Sequence, residues 1–177
     1  MEKFETAILA NGCFWCTEAI FQKMNGVIEV TPGYIGGYKK DPTYEEVCTG
    51  LTKHAEAVKL VFDNTKVSFQ ELLEVFFSTH DPTTLNRQGN DVGTQYRSEI
   101  FYTNETQKDI AQQFLDVFNN ENIFGKKVVT AISKASEFYP AENYHINYYN
   151  THKDQMYCSN VIKPKLDKFT KIFKELL

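Results

Sequence analysis

Residues 4–24 read FETAILANGCFWCTEAIFQKM and contain a complete change of secondary structure. The first part, residues 4–10, has the apolar character of a strand, and Asn11-Gly12 supplies the residues of a tight turn. Over residues 13–24 the apolar side chains recur at helical spacing instead. The stretch therefore predicts a strand that runs through a turn directly into a helix, with a cysteine at the junction.

The rest of the chain alternates between strand-like and helix-like segments. Strand patterns cover residues 55–62, 97–103, 128–135 and the first part of 27–38. Helical patterns cover residues 105–119, 161–177 and 68–80, the last opened by a capping box of Ser68 and Glu71. A long polar loop is expected over residues 81–96. This alternation predicts one domain over residues 1–177, in which helices cover a sheet.

Size and charge exclude several classes of protein. The chain has 177 residues and a formal net charge of −4, which argues against nucleic-acid binding through bulk positive charge. No apolar run approaches the roughly 20 residues that a membrane span needs, and no signal peptide is evident. Four cysteines are too few for a disulfide-stapled secreted scaffold. We therefore expect a cytoplasmic protein with reduced thiols, in which any disulfide is catalytic.

The most informative motif is Cys13-Phe14-Trp15-Cys16, at the expected start of the first helix. A helix N-terminus would stabilise the thiolate of Cys13 and lower its pKa, and the aromatic pair would form an apolar wall beside it. Two cysteines at this spacing are also compatible with thiol–disulfide exchange or with a zinc site. A buried structural cysteine is a further interpretation of the same pattern.

Blocks of sequence spread over nearly the whole chain resemble the type A peptide methionine sulfoxide reductases. They are GCFWCTE at residues 12–18, GYIGG at 33–37, DPTYEEVC at 41–48, TKHAEAV at 52–58, DPTTLNRQGNDVGTQYRS at 81–98, AENYH at 141–145 and YC at 157–158. The blocks occur in the order found in that family. The resemblance implies an α+β fold, a single-domain two-layer sandwich with a ferredoxin-like plait, which agrees with the predicted alternation.

The resemblance also assigns roles in sulfoxide reduction. It implies that Cys13 attacks the sulfoxide sulfur and that Phe14 and Trp15 hold the S-methyl group against apolar aromatic faces. Glu56 matches the acid that protonates the departing oxygen. Because Glu56 begins an apolar strand, between Ala55 and Ala57, we expect burial to raise its pKa. Taken alone, the alternating strand pattern is equally typical of a solvent-facing glutamate.

Three further residues match the family's site. Tyr44 and Tyr96 would donate hydrogen bonds to the sulfoxide oxygen as negative charge develops there. Asp91 would hold water or order these tyrosines, although it also suits a turn before a glycine. His54 is interpreted as a turn residue and His145 as a packing or hydrogen-bonding residue. No pattern in the sequence requires a metal ion or an organic cofactor.

Oxygen transfer would leave a sulfenic acid on Cys13, which a second thiol must convert to a disulfide. The candidates are Cys158, in a loop-like tail, and Cys16, one helical turn away. Cys158 is favoured, because a mobile tail can reach the sulfenic acid without unwinding a helix. Cys48 is interpreted as structural. The implied partners are thioredoxin, as reductant, and oxidised proteins and peptides, in which the S epimer of the sulfoxide is reduced.

Two other functions compete with this one. A general thiol–disulfide oxidoreductase would use Cys13 and Cys16 and would not need Glu56 or the tyrosines. A zinc-stabilised binding module would need a second ligand pair from residues such as Cys48, His54 and Cys158, whose spacings do not match a known zinc motif. Neither alternative accounts for the polar segment 81–98.

Overall fold

The structure, a computed structural model, describes residues 2–177. Its strands are β1 (Phe4–Asn11), β2 (Val27–Ile35), β3 (Ala55–Asp63), β4 (Arg87–Gln88), β5 (Asp91–Val92), β6 (Ser98–Tyr102), β7 (Ala131–Lys134) and β8 (Tyr139–Pro140). Its helices are α1 (Phe14–Phe21), α2 (Tyr44–Cys48), α3 (Phe69–Ser78), α4 (Glu105–Asn120), α5 (Tyr148–Thr151) and α6 (Lys163–Ile172). Within this part of the chain no helix is both long enough and apolar enough to span a membrane.

Six strands form one mixed sheet in the order β7-β6-β1-β3-β2-β8. All neighbouring pairs are antiparallel except β6 and β7, which are parallel. The central strands are connected as β1-α1-β2-β3-α3-β6, which is the ferredoxin-like βαββαβ arrangement. The α+β class and the plait predicted from the sequence are confirmed.

The larger core lies between the sheet and the helices. Leu9, Val58 and Leu60 face this side and are fully buried, because side chains alternate between the two faces of a strand. Ile8 and Ala57 belong to a smaller apolar cluster on the opposite face. Glu56 lies two residues before Val58 on β3 and therefore shares its face, so the Glu56 side chain points toward the helices.

The polar segment between α3 and β6 is more ordered than the sequence predicts. It contains the β4–β5 hairpin, whose two-residue turn is Gly89-Asn90. Gly89 has a φ of +59°, the left-handed region that glycine adopts without strain. Strands of two residues are too short to produce an alternating pattern, so the sequence predicts only a loop here.

The capping box that opens α3 is present as predicted. Ser68 Oγ accepts a hydrogen bond from the Glu71 amide at 3.1 Å, and the Glu71 carboxylate accepts one from the Ser68 amide at 2.8 Å. Each side chain thus satisfies a backbone donor that the first helical turn leaves free. This box fixes the start of the helix that packs under β1.

The prediction that Cys158 lies in a loop-like tail is wrong. Cys158 begins a π-helical turn, Cys158–Ile162, that continues directly into α6. Its side chain is fully buried against the main core. The segment contacts α1, which is distant in sequence, and this tertiary contact holds it as a helix.

Candidate active site

The candidate active site lies where β1 ends and α1 begins. Cys13 is the N-cap residue of α1, with φ −58° and ψ +124°, and its side chain is 8% exposed. Gly12, before it, has a φ of +113°, and a Cβ there would lie 2.9 Å from Gln88 Cγ. A glycine is therefore required both for the turn and for the close approach of β4, and it sets the direction in which Cys13 enters the helix.

Glu56 connects β3 to this helix start. Its Oε1 accepts a hydrogen bond of 3.1 Å from the Phe14 amide, one of the backbone donors that a helix N-terminus leaves free. Its Oε2 has no hydrogen-bond partner among residues 2–177, and the side chain is 1% exposed. Burial raises the pKa of Glu56 to about 8, in the expected direction. Near neutral pH the carboxyl group therefore carries a proton that it can donate.

The predicted lowering of the pKa of Cys13 is wrong. Burial raises the pKa of this thiol well above its ordinary value, and neighbouring Cys16 and Glu56 act in the same direction. Only the Trp15 amide opposes the shift. The sequence reveals the helix N-terminus but not the desolvation, and here the loss of water outweighs the helix dipole.

The pKa of Cys16 shifts in the opposite direction. The neighbouring Cys13 thiol outweighs the effect of burial and lowers the pKa of Cys16. The positive charge of Lys165 and a contact with Tyr157, whose hydroxyl lies 3.9 Å from Cys16 Sγ, act in the same direction. Of the two neighbouring thiols, Cys16 is the one that ionises more readily.

Asp91 orders a different tyrosine from the two that were expected. Its Oδ2 accepts a hydrogen bond of 2.6 Å from the hydroxyl of Tyr157, and among residues 2–177 it has no side-chain bond to Tyr44 or Tyr96. The β5 strand of the hairpin presents Asp91 to the C-terminal segment. Asp91 therefore bonds Tyr157 directly and not Tyr44 or Tyr96, the alternative that it holds water stays a prediction, and Tyr157 is a site residue that sequence reasoning missed. Its only signal was its place in the Tyr157-Cys158 block.

The predicted aromatic pair, Phe14 and Trp15, packs against His145 and Tyr148. Trp15 stacks on Tyr148 with ring centroids 3.8 Å apart and planes within 7°, and its Nε1 donates to His145 Nδ1 at 2.9 Å. Phe14 is fully buried and packs against the same histidine, with a centroid separation of 5.0 Å. The role expected of His145, packing and hydrogen bonding, is the one it has. Its Nε2 has no partner among residues 2–177.

Tyr44 and Tyr96 are brought to the same region by separate elements. Tyr44 begins α2, and Tyr96 ends a 3-10 turn, Thr94–Tyr96. Burial raises the pKa of both phenols above the ordinary value, and the charge of Glu56 is the next cause in each case. Both tyrosines therefore lie near Glu56 and stay protonated hydrogen-bond donors.

A carboxylate that sequence reasoning did not single out anchors Tyr44. Glu142 Oε2 accepts from the Tyr44 amide at 2.9 Å, and its Oε1 accepts from the Tyr34 hydroxyl at 2.8 Å. Glu142 thus joins β2 to the start of α2. Its signal in the sequence was its place in the block at residues 141–145.

The remaining sequence-predicted residues divide between the site and its surroundings. All four cysteines are free thiols. Burial raises the pKa of Cys158, and the charge of Cys16 is the second cause. The turn that begins at Cys158 contacts α1, the helix that carries Cys16. Cys48 is exposed at the end of α2, which contradicts its interpretation as a structural residue. His54 lies in the turn before β3, where its Nδ1 accepts from the Gly37 amide at 2.9 Å.

The zinc alternative finds no ligand set in the described chain. Within residues 2–177, no three His, Cys, Asp or Glu side chains are grouped closely enough to hold a metal ion. The two cysteines of the first helix instead lie between a buried carboxyl group and a tyrosine–aspartate pair.

Fold and site together define a class of protein: an α+β thiol oxidoreductase whose cysteine stands beside a buried, protonated carboxyl group. Residues 5–177 match the family model described as peptide methionine sulfoxide reductase. The chain belongs to this family.

Individual relatives agree with that assignment. The chain is 57% identical over 173 residues to the peptide methionine sulfoxide reductase MsrA of a Nitratiruptor species, with 98% of each chain covered. Among solved structures it resembles reduced Mxr1 from Saccharomyces cerevisiae, with a TM-score of 0.81 and 34% identity over 88% of this chain and 90% of that one. Mxr1 in complex with Trx2 is also similar, with a TM-score of 0.57, 25% identity and coverage of 82% and 85%.

Proposed function

We propose that this protein reduces methionine-S-sulfoxide, in proteins and peptides and as the free amino acid, to methionine. The observation that carries the proposal is Glu56, a buried carboxyl group with a pKa of about 8 and one unpartnered oxygen, bound to the amide of the residue after Cys13. A thiol beside a protonated acid is what reduction of a sulfoxide requires. Membership of the peptide methionine sulfoxide reductase family supports the assignment.

In the first step Cys13 Sγ attacks the sulfoxide sulfur while Glu56 protonates the sulfoxide oxygen. The S–O bond of the sulfoxide breaks, the hydroxyl group is transferred to Cys13 as a sulfenic acid, and methionine leaves. Glu56 then recovers a proton from the Cys13 thiol. This thiol is protonated in the resting enzyme because the pKa of Cys13 is raised. The substrate sulfur gains the two electrons that Cys13 loses. Glu56 acts here as a general acid and then as a base.

The surrounding aromatic residues bind and orient the substrate. Tyr44 and Tyr96 donate hydrogen bonds to the oxygen as it becomes negative, a role supported by their proximity to Glu56. Phe14 and Trp15 form the slot for the S-methyl group. Because the oxygen donors and the methyl slot would fix two substituents of a chiral sulfur while Cys13 attacks it, only one epimer presents both groups correctly, and we assign this to the S epimer.

Recycling begins when a second thiol attacks the sulfenic sulfur, which forms a disulfide and releases water. We assign this first attack to Cys16, since its thiol follows Cys13 by one helical turn and its pKa is lowered. Cys158, in the turn that contacts α1, then accepts the disulfide by exchange. Thioredoxin reduces the final disulfide, a proposal supported by the complex of yeast Mxr1 with Trx2.

The proposal includes the cellular setting and the extent of the catalytic unit. A cytoplasmic location suits the mechanism, because four free thiols and a thioredoxin-driven cycle need a reducing compartment.

We propose that residues 1–177 form one catalytic domain, supported by the single sheet that unites β1 with β8 and by a family match that covers residues 5–177.

The test is a single turnover without reductant, followed by mass spectrometry of the protein. Resolved S and R epimers of a methionine sulfoxide peptide are each mixed with the enzyme. The expected result is one equivalent of methionine from the S epimer, none from the R epimer, and a disulfide that includes Cys13. Cys13→Ser should form no methionine, whereas Cys48→Ser, which changes an exposed thiol, should behave as the wild type. Reduction of simple disulfides with no reaction of either sulfoxide would favour the general thiol–disulfide oxidoreductase instead.

A further inference from the structure

A groove leads away from the active site along α6. Its first cavity, of about 260 Å³, is lined by Asp91, Tyr157 and Lys165, and the first two of these residues belong to the site around Cys16. Its second cavity, of about 500 Å³, shares Lys165 with the first and adds Lys126 and Lys168. The two cavities adjoin at Lys165 and Gln88, which line both, and we call this row of adjoining cavities the lysine groove.

The middle of the lysine groove is positively charged. Lys126, Lys165 and Lys168 line it, and none of them forms an ion pair within residues 2–177. The carboxylate of Asp81, also in the groove, already accepts hydrogen bonds of 2.9 and 2.6 Å from Thr83. The middle cavity has three lysines against the single carboxylate of Asp81, so in a chain with a net charge of −4 it is locally positive and complementary to an acidic ligand. The cavities on either side each add a carboxylate, Asp91 and Glu74, so the complementarity is confined to the middle of the groove.

The far end of the lysine groove is apolar. A third cavity, of about 550 Å³, shares Lys168 with the second and is lined by aromatic residues that include Phe114, Phe118 and Phe173. Ile123 and Ile172 flank it and are 53% and 50% exposed. Such a surface accommodates an apolar side chain.

We propose that the lysine groove binds the polypeptide around the methionine sulfoxide, with acidic side chains against the lysines and an apolar side chain at the aromatic end. The inference rests on the proposed function, since the groove starts at the site where Cys13 would act. An extended chain advances about 3.3 Å per residue, so a segment of several residues can follow the groove. Free methionine sulfoxide has no flanking residues to place against the lysines, and the groove therefore distinguishes peptides by their sequence.

The experiment measures kcat/KM with a small dithiol as reductant, so that docking of thioredoxin does not contribute. The substrates are free methionine-S-sulfoxide and matched peptides that carry Glu, Gln or Lys at successive positions on either side of the sulfoxide. The test variant is Lys126→Glu/Lys168→Glu. The control is Lys127→Glu/Lys171→Glu, which makes the same charge change at neighbouring exposed lysines that do not line the groove.

The wild type should prefer the Glu peptide at one set of positions, by about two- to fivefold for each lysine engaged. The test variant should reverse this order and prefer the Lys peptide, while its activity on free methionine sulfoxide and that of the control variant stay unchanged. Equal rates for the three peptides on the wild type would overturn the inference. So would a test variant that keeps the wild-type order of peptides and, in a parallel assay with thioredoxin as reductant, is altered only in its KM for thioredoxin, which would assign the groove to the reductant. Wild-type enzyme inactive on every sulfoxide would instead contradict the proposed function.

Discussion

The Phe14 amide donates a hydrogen bond of 3.1 Å to Oε1 of Glu56, a residue 42 positions further along the chain. This bond joins the first turn of α1 to the central strand β3, and it holds a carboxyl group next to Cys13. Because one oxygen is used for positioning and the other has no partner within residues 2–177, the same side chain is both fixed in place and available for proton transfer.

The first prediction concerns Glu56 as the acid. Glu56→Gln should slow the first turnover by about 10²–10⁴-fold, because the amide keeps the shape of the side chain but cannot protonate the departing oxygen. Rapid-quench measurement of methionine in the absence of reductant isolates this step. Glu99→Gln is the matched control, a buried carboxyl group on β6 that bonds Arg97 and Ser133, and it should react at the wild-type rate. A first turnover unchanged in Glu56→Gln would move the acid to Tyr44 or Tyr96.

The second prediction concerns stability against pH. The pKa of Glu56 rises from an ordinary 4.5 to about 8 in the folded protein, so the folded state holds a proton that the unfolded state releases. The free energy of unfolding should therefore fall as pH rises between these two values and level off above them. Denaturant titrations across this window should show a smaller fall for Glu56→Gln than for the wild type. Parallel curves for the two proteins would contradict the raised pKa.

The third prediction separates the two resolving candidates. Cys16→Ser and Cys158→Ser should both complete the first turnover, since neither thiol takes part in oxygen transfer. Cys16→Ser should accumulate the Cys13 sulfenic acid, which a dimedone-type trap detects by mass spectrometry, whereas Cys158→Ser should form the Cys13–Cys16 disulfide at the normal rate. The reverse pattern would assign the first attack to Cys158.

The fourth prediction concerns Tyr157. Tyr157→Phe removes the hydroxyl that contacts Cys16 and bonds Asp91, and its loss should raise the pKa of Cys16. Disulfide formation should then become slower at neutral pH and recover at higher pH, with an unchanged first turnover. The measurement is the pH profile of thiol loss after a single turnover. A profile identical to that of the wild type would mean that Tyr157 has only a structural role.

The fifth prediction concerns the support behind Trp15. Tyr148→Ala removes the ring on which Trp15 stacks and should raise KM for methionine sulfoxide by about two- to tenfold, the value of one aromatic pair, with a smaller change in kcat. Tyr148→Phe keeps the ring and loses only the hydroxyl, which bonds Gln155. It should retain the wild-type KM. Equal effects of the two substitutions would point to the hydroxyl rather than the stacking.

Local patterns in the sequence were sufficient wherever neighbouring residues decide the structure. The strand, turn and helix of residues 4–24 and the capping box of Ser68 and Glu71 depend on interactions within a few positions, and both are present. These features could be predicted because spacing along the chain determines which residues share a face or a turn. The family resemblance, carried by blocks such as residues 81–98, pointed to Glu56, which the structure places against the helix start at Phe14, but it did not single out Tyr157 or Glu142.

Tertiary structure decided the properties that depend on distant segments. The helix N-terminus predicts a lowered pKa for Cys13, but packing removes water from the thiol and raises it instead. Asp91 bonds Tyr157 across 66 positions, and Cys158 is buried in a helix rather than mobile in a loop. Desolvation and long-range hydrogen bonds arise only when separate elements pack together, so no local pattern in the sequence reports them.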